Sequence, residues 1–142
     1  MPYPKPLHEQ VVVITGASSG MGREMAHKFA AQGAAVVLAA RNAGALEMVA
    51  LEIRQSGGTV HVIPTDVTSW EQVEALAQET ITVFGRIDTW INDAAVAIYA
   101  TVEETDPEEF HQLLHVNLLG TIYGSKAALA RMKAQGYGYA II

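Results

Sequence analysis

Residues 15–22, reading T-G-A-S-S-G-M-G, constrain this chain more than any other stretch. Four β-branched residues, Val11, Val12, Val13 and Ile14, stand directly before them. Such a run marks a parallel strand buried on both faces. After it, Met21, Met25, Phe29 and Ala30 recur at helical spacing. The glycines therefore lie in a tight strand-to-helix turn, and each has a task. Gly16 can take backbone angles closed to a residue with a Cβ. Gly20 has no side chain to hold a phosphate away from the main chain, and Gly22 lets the helix approach the strand. The N–H groups that open such a helix, together with its dipole, favour an anion.

The rest of the chain repeats this alternation. Residues 1–9 read as an extended, proline-punctuated lead-in. Residues 10–15, 34–40, 59–65, 87–91 and 139–142 read as strands, and 20–32, 43–55, 69–84 and 107–135 as helices, the last bent near Gly120. Gly33 and Gly85 stop helices. Ser69 with Gln72, and Asp106 before Pro107, start them. Strands separated by helices pair in parallel through right-handed crossovers. The expected fold is α/β, a doubly wound parallel sheet in three αβα layers, with residues 1–142 forming one domain. Ligands of such sheets bind outside the carboxyl ends of the strands. Gly16, Arg41, Asp66 and Asn92 all fall at such ends.

Composition narrows the function classes. With 142 residues, half of them hydrophobic, the chain can bury the core of one domain. A formal charge of −6 argues against nucleic acid as a partner. The absence of cysteine excludes disulfides and thiolate metal sites and fits the cytoplasm. No apolar run approaches the roughly 20 residues of a membrane span, and no signal-peptide pattern opens the sequence. His111 and His115 lie four apart, but no H-E-x-x-H motif surrounds them, so no metal site is expected. Acids at 103, 104, 106, 108 and 109 charge a helix start, and Trp90, on a strand, reads as core.

Arg41 bears on the choice of ligand. A dinucleotide fold that reads the ribose 2′-hydroxyl places an acid about 20 residues past the glycines. Here Ala40 and Arg41 stand there instead. A guanidinium suits a 2′-phosphate, which it can grip with two hydrogen bonds. The glycine spacing is G-x-x-x-G-x-G rather than the general G-x-G-x-x-G. With T-D-V at 65–67, Asn92-Asp93-Ala94-Ala95, and Val116-Asn117 before Gly120, the chain resembles the cofactor half of the short-chain dehydrogenase/reductase family. The resemblance covers nearly the whole chain and about the first half of the family's usual domain.

The resemblance implies a Rossmann-like sheet of order 3-2-1-4-5 and onward, cut after the fifth strand. It implies a cofactor loop of Gly16, Ser18, Ser19, Gly20, Met21 and Gly22. Arg41 would go with NADP(H) rather than NAD(H). Asp66 would accept from the adenine amino group with Val67 packed nearby, and Asn92, Ala94 and Ala95 would border the adenosine side. Asn117 would be the fourth member of the catalytic tetrad, bending its helix through a water and helping to hold the active-site Lys.

Departures qualify the expectation. Asp93 replaces an Asn, keeping an acceptor and losing two donors. Ala95 replaces a Gly, and is strained if that position needs a positive φ. The family's Ser and Tyr-x-x-x-Lys do not occur in the 142 residues: Tyr123-Gly-Ser-Lys126 has the wrong spacing, and no Lys follows Tyr137 or Tyr139. The expected function is NADP(H)-dependent hydride transfer on an alcohol/carbonyl pair, with these 142 residues inactive by themselves. The alternative is a non-catalytic nucleotide-binding or self-associating module, recruiting other chains through the apolar edge Tyr139-Ala-Ile-Ile142. Expected partners are a small alcohol or carbonyl substrate and a second copy through helix 107–135, with neither nucleic acid nor membrane.

Overall fold

The computed structural model describes residues 5–137 and 140–142. Its strands are β1 (Val11–Thr15), β2 (Ala35–Ala40), β3 (Thr59–Pro64), β4 (Thr89–Asn92) and β5 (Ala140–Ile141). They form one parallel sheet in the order β3-β2-β1-β4-β5. The helices are α1 (Gly20–Ala31), α2 (Ala43–Gln55), α3 (Trp70–Phe84), α4 (Pro107–Leu114) and α5 (Gly120–Gln135).

Alternate residues of β1 enter opposite layers, because successive Cβ atoms of a strand point to opposite faces. Val11 and Val13 pack with Leu76 of α3 and Ala127 of α5. Val12 and Ile14 pack with Ala26 of α1 and Leu46 of α2. This is the expected αβα sandwich. Val12, Val13 and Ile14 are fully buried; each such side chain contributes about 1.5–3 kcal/mol of hydrophobic stabilisation. That central strand fixes where the glycine turn emerges.

Several local expectations are corrected. Within the lead-in, Leu7–Glu9 form a 3-10 turn rather than extended chain, closed by the Glu9 N–H on the Pro6 carbonyl. The fourth strand starts at Thr89, not at residue 87. The Gln135 side chain takes both backbone groups of Ile87, accepting at 2.8 Å and donating at 2.9 Å, and the Asp88 carboxylate accepts from the Val11 N–H at 2.7 Å. These side chains stand in for the ladder there. Tyr139, expected in the fifth strand, lies outside the described residues.

Met21 does not share the inward face of α1; it is 74% exposed, and the buried stripe is Gly22, Ala26 and Ala30. Small residues at a spacing of four let the helix lie close on the sheet. The bend expected near Gly120 is a π-helical turn over His115–Leu119. Gly120 follows it because a Cβ there would come within 2.9 Å of Val67 Cγ2.

The helix signals resolve in detail. Asp106 and Glu109 form a reciprocal capping box, with Pro107 at the first helical position. At α3 the Ser69 hydroxyl accepts from the Gln72 N–H, but the Gln72 side chain accepts from the Asp66 N–H instead of returning to Ser69.

Candidate dinucleotide cleft

The carboxyl ends of β1, β2, β3 and β4 open on a cleft of about 750 Å³. Its floor is the turn after β1. Thr15 ends that strand, and its hydroxyl both donates to the Ile91 carbonyl and accepts from the Ala94 N–H, each at 3.3 Å. Gly16 follows with φ +72°, a conformation that glycine alone adopts freely. A Cβ at Gly16 would stand 2.8 Å from the Ala94 nitrogen. The turn after β1 and the segment after β4 are therefore pressed backbone to backbone. A Cβ at Gly22 would meet the Gly16 carbonyl oxygen at 2.5 Å and Asp93 Oδ2 at 2.8 Å, so Gly22 is a spacer behind the turn. Gly20, at φ +53°, has nothing within 4 Å of the place its Cβ would take. That open space lies over the first turn of α1, whose N-cap, Ser19, makes no side-chain capping bond. Unsatisfied first-turn N–H groups facing open space suit an anion.

The cleft is lined by Gly16, Ser18, Ser19, Gly20 and Met21 from the turn, and by Arg41, Asp66, Val67, Ala94 and Ala95 from the other strand ends. Ten of the twelve residues expected at a cofactor are thus brought together. Gly22 sits behind the turn. Asn92 is not brought to the cleft: its Oδ1 accepts from Trp90 Nε1 at 2.9 Å, and its amide donates to Ser125 Oγ and the Ile142 carbonyl. It points instead toward α5 and the end of β5. Ala95 is unstrained, since no non-glycine among the described residues has a positive φ.

The charged groups differ in their engagement. Arg41 is exposed and makes no hydrogen bond or ion pair with the described residues. Its guanidinium stands at the rim without a protein partner. Asp66 Oδ1 accepts from the Thr68 N–H at 2.9 Å and the Thr68 hydroxyl at 2.8 Å, which shapes the loop into α3. Burial pushes the Asp93 carboxyl above its ordinary value, while a hydrogen bond from the Gly22 N–H pulls it back.

Asn117 sits in the π-helical turn and grips Val96 with both ends of its amide. Its Oδ1 accepts from the Val96 N–H at 2.9 Å and its Nδ2 donates to the Val96 carbonyl at 2.8 Å. It thereby fixes the segment after Ala95 against the helix, where Val96 and Val116 complete the wall. Asn42 and Thr65 line the cleft too. Asn42 caps α2, its Oδ1 accepting from the Ala45 N–H; sequence reasoning missed it, although Asn directly before a helical stretch is the usual capping signal. Thr65, which opens the T-D-V stretch but was not expected in the site, turns its hydroxyl back to the Ile63 carbonyl.

Among the described residues no group of three or more His, Asp or Glu side chains is placed to hold a metal ion, and no helix is long and apolar enough to cross a membrane. The cleft passes the test for a dinucleotide. The backbone has room where phosphates would approach, and the rim carries the Arg41 cation, unpaired among the described residues.

Comparison with known proteins agrees with the fold. Residues 10–142 match the family model described as short chain dehydrogenase. An uncharacterised oxidoreductase of Bacillus subtilis is 38% identical over 138 residues, which are 97% of this chain and 39% of that protein. An alcohol dehydrogenase from the archaeon Thermococcus sibiricus, complexed with 5-hydroxy-NADP, superposes with TM-score 0.85 at 36% identity, over 92% of this chain and 57% of that one. A metagenomic short-chain oxidoreductase in complex with NADP gives TM-score 0.88 at 32% identity, over 96% and 62%. The chain thus spans between about two fifths and three fifths of the length of these proteins.

Proposed function

The chain belongs to the short chain dehydrogenase family, and on that footing we propose that it forms the NADP(H)-binding part of a cytoplasmic oxidoreductase acting on an alcohol/carbonyl pair. The observation that carries the reading is Arg41: an unpaired guanidinium at the end of β2, on the rim of a cleft floored by the glycine turn. A dinucleotide laid along the strand ends would set its phosphates on the first turn of α1 and its 2′-phosphate beside Arg41. Two similar structures hold NADP or a derivative of it. Bound NADPH supplies the hydride. The residues of this chain bind and orient it: the turn offers N–H groups, Arg41 a cation, and Asn117 a fixed wall through Val96.

The 142 residues contain no Tyr-x-x-x-Lys to move the proton. By themselves they are expected to bind the dinucleotide and not to reduce carbonyl compounds above background. The test is NADPH and NADH binding to the wild type and to Arg41→Ala. Loss of the charged contact should weaken NADPH by about tenfold or more and leave NADH within about twofold. Equal affinities for the two dinucleotides in the wild type would overturn the assignment.

A second observation supports self-association. Phe110, Leu114, Leu118 and Ile122 repeat every four residues along α4, the π-helical turn and α5, and are 39–52% exposed. A single stripe of this kind can meet its own copy across a two-fold axis. Sedimentation velocity should show a dimer that Leu118→Glu dissociates; a wild-type monomer at high micromolar concentration would overturn this.

A further inference from the structure

We propose that Asp93 is an affinity-determining residue of the dinucleotide cleft, holding a negative charge beside the phosphate-binding turn and against the first turn of α1. This rests on the dinucleotide reading above and concerns a position where the chain departs from the Asn that its family resemblance implies. The geometry is specific. Asp93 lines the cleft together with Gly16, Ser18, Ser19 and Gly20. Its Oδ2 lies 2.8 Å from the place a Gly22 Cβ would occupy. The carboxylate is half-buried against the first turn of α1.

An anion already on the helix start, in a partly desolvated wall, opposes a second anion arriving there. The other ionisable groups lining the cleft are Arg41 at the end of β2 and Asp66 after β3. Asp66 adds to the negative field and Arg41 opposes it from the rim. On α1 the next charged side chain, Arg23, is occupied by Glu52 at 2.8 Å. The π-helical turn contributes only the neutral Val116 to the lining. No cation among the described residues therefore pairs with Asp93.

Protonation removes the conflict, so NADPH binds with uptake of a proton at Asp93. By linkage, affinity falls as pH rises through the titration of this carboxyl, by at most about tenfold per pH unit. The window lies above the ordinary Asp value, because burial already raises this group. Replacement by Asn keeps the size of the side chain and one acceptor oxygen and removes the charge.

The test is NADPH titration by fluorescence from about pH 5 to pH 8.5 on the wild type and Asp93→Asn, with melting curves confirming that the variant folds. The 2′-phosphate itself titrates near pH 6. That contribution is common to both proteins, so the difference between the two profiles isolates Asp93. The profiles should converge at the acid end, and the variant should bind about threefold to tenfold tighter near pH 8. As a second measurement that needs no variant, a carbon-detected NMR titration should show the Asp93 carboxyl titrating at higher pH with NADPH than without. Parallel profiles of equal affinity, a weaker variant, or an Asp93 titration unmoved by NADPH would each overturn the inference while leaving the dinucleotide reading intact. If neither protein binds NADPH at any pH, the dinucleotide reading falls, and this inference with it.

Discussion

Replacing Gly16 by Ala separates the two reasons for a glycine in the turn. At φ +72° an alanine is held in the left-handed region, which costs about 1–2 kcal/mol. Its Cβ would also stand 2.8 Å from the Ala94 nitrogen and 2.9 Å from the Ala94 Cα, both of them backbone atoms. Relief requires the turn and the segment after β4 to part, an overpacking cost of about 1–3 kcal/mol. The two terms have the same sign, so Gly16→Ala should lose about 2–5 kcal/mol of stability. For a domain of this size that lowers the melting midpoint by roughly 6–20 °C. Gly20→Ala is the control. Its φ of +53° carries the conformational cost, but nothing lies within 4 Å of the added Cβ, so the loss should stay near about 1–2 kcal/mol. Urea unfolding followed by circular dichroism measures both, with two-state analysis suited to a small domain. A Gly16→Ala protein as stable as wild type, or a Gly20→Ala protein equally damaged, would refute the close approach of the two strand ends.

Two further outcomes follow from the same geometry. Asn117→Ala leaves both backbone groups of Val96 without their partner and should cost about 2 kcal/mol, while Asn117→Asp, which keeps the acceptor but sets a carboxylate oxygen against the Val96 carbonyl, should be no milder; thermal melts of the two variants against wild type check both. Glu52 joins α2 to Arg23 and His27 of α1, and the Arg23 guanidinium, the largest influence on it, holds its carboxyl below the ordinary value. A carboxyl depressed in the folded state adds stability above its unfolded titration and loses that contribution as pH falls through the folded one. Glu52→Gln should therefore lower stability near neutrality and flatten its decline below about pH 4.5; unchanged pH dependence of the midpoint would contradict the tie.

The parts that could be read from sequence are those set by local chemistry. The β-branched run of β1 and the glycines after it required a buried strand and a turn, and the sheet order follows from helices between parallel strands. Arg41, Asp66 and Ala94 line the cleft because each stands one or two residues past the carboxyl end of its strand, where the chain turns over the sheet edge. Other features depend on distant groups. The direction of Asn92 is set by Trp90 Nε1 and by the Ile142 carbonyl, 50 residues on. The late start of β4 depends on Gln135, 48 residues from Ile87. Met21 has helical spacing, but hydrophobicity alone does not tell the inward face of a helix from its open first turn. A π-helical turn has no signature of its own; here it coincides with Asn117, whose bonds to Val96 reach across 21 residues. The strain expected at Ala95 is absent because a change from Gly is costly only where φ is positive.

A phosphorylated dinucleotide lying across the strand ends would set its phosphates on the turn after β1. Backbone amide NMR shifts during NADPH titration test it most directly. Saturable shifts should concentrate at Gly16, Ser18, Ser19, Gly20, Arg41, Asp66 and Ala94, all at the carboxyl ends of β1–β4. Lys133 and Ile141, at the far side of α5 and on β5, should stay unmoved. Shifts centred on α5 and β5, or none at millimolar NADPH, would contradict it.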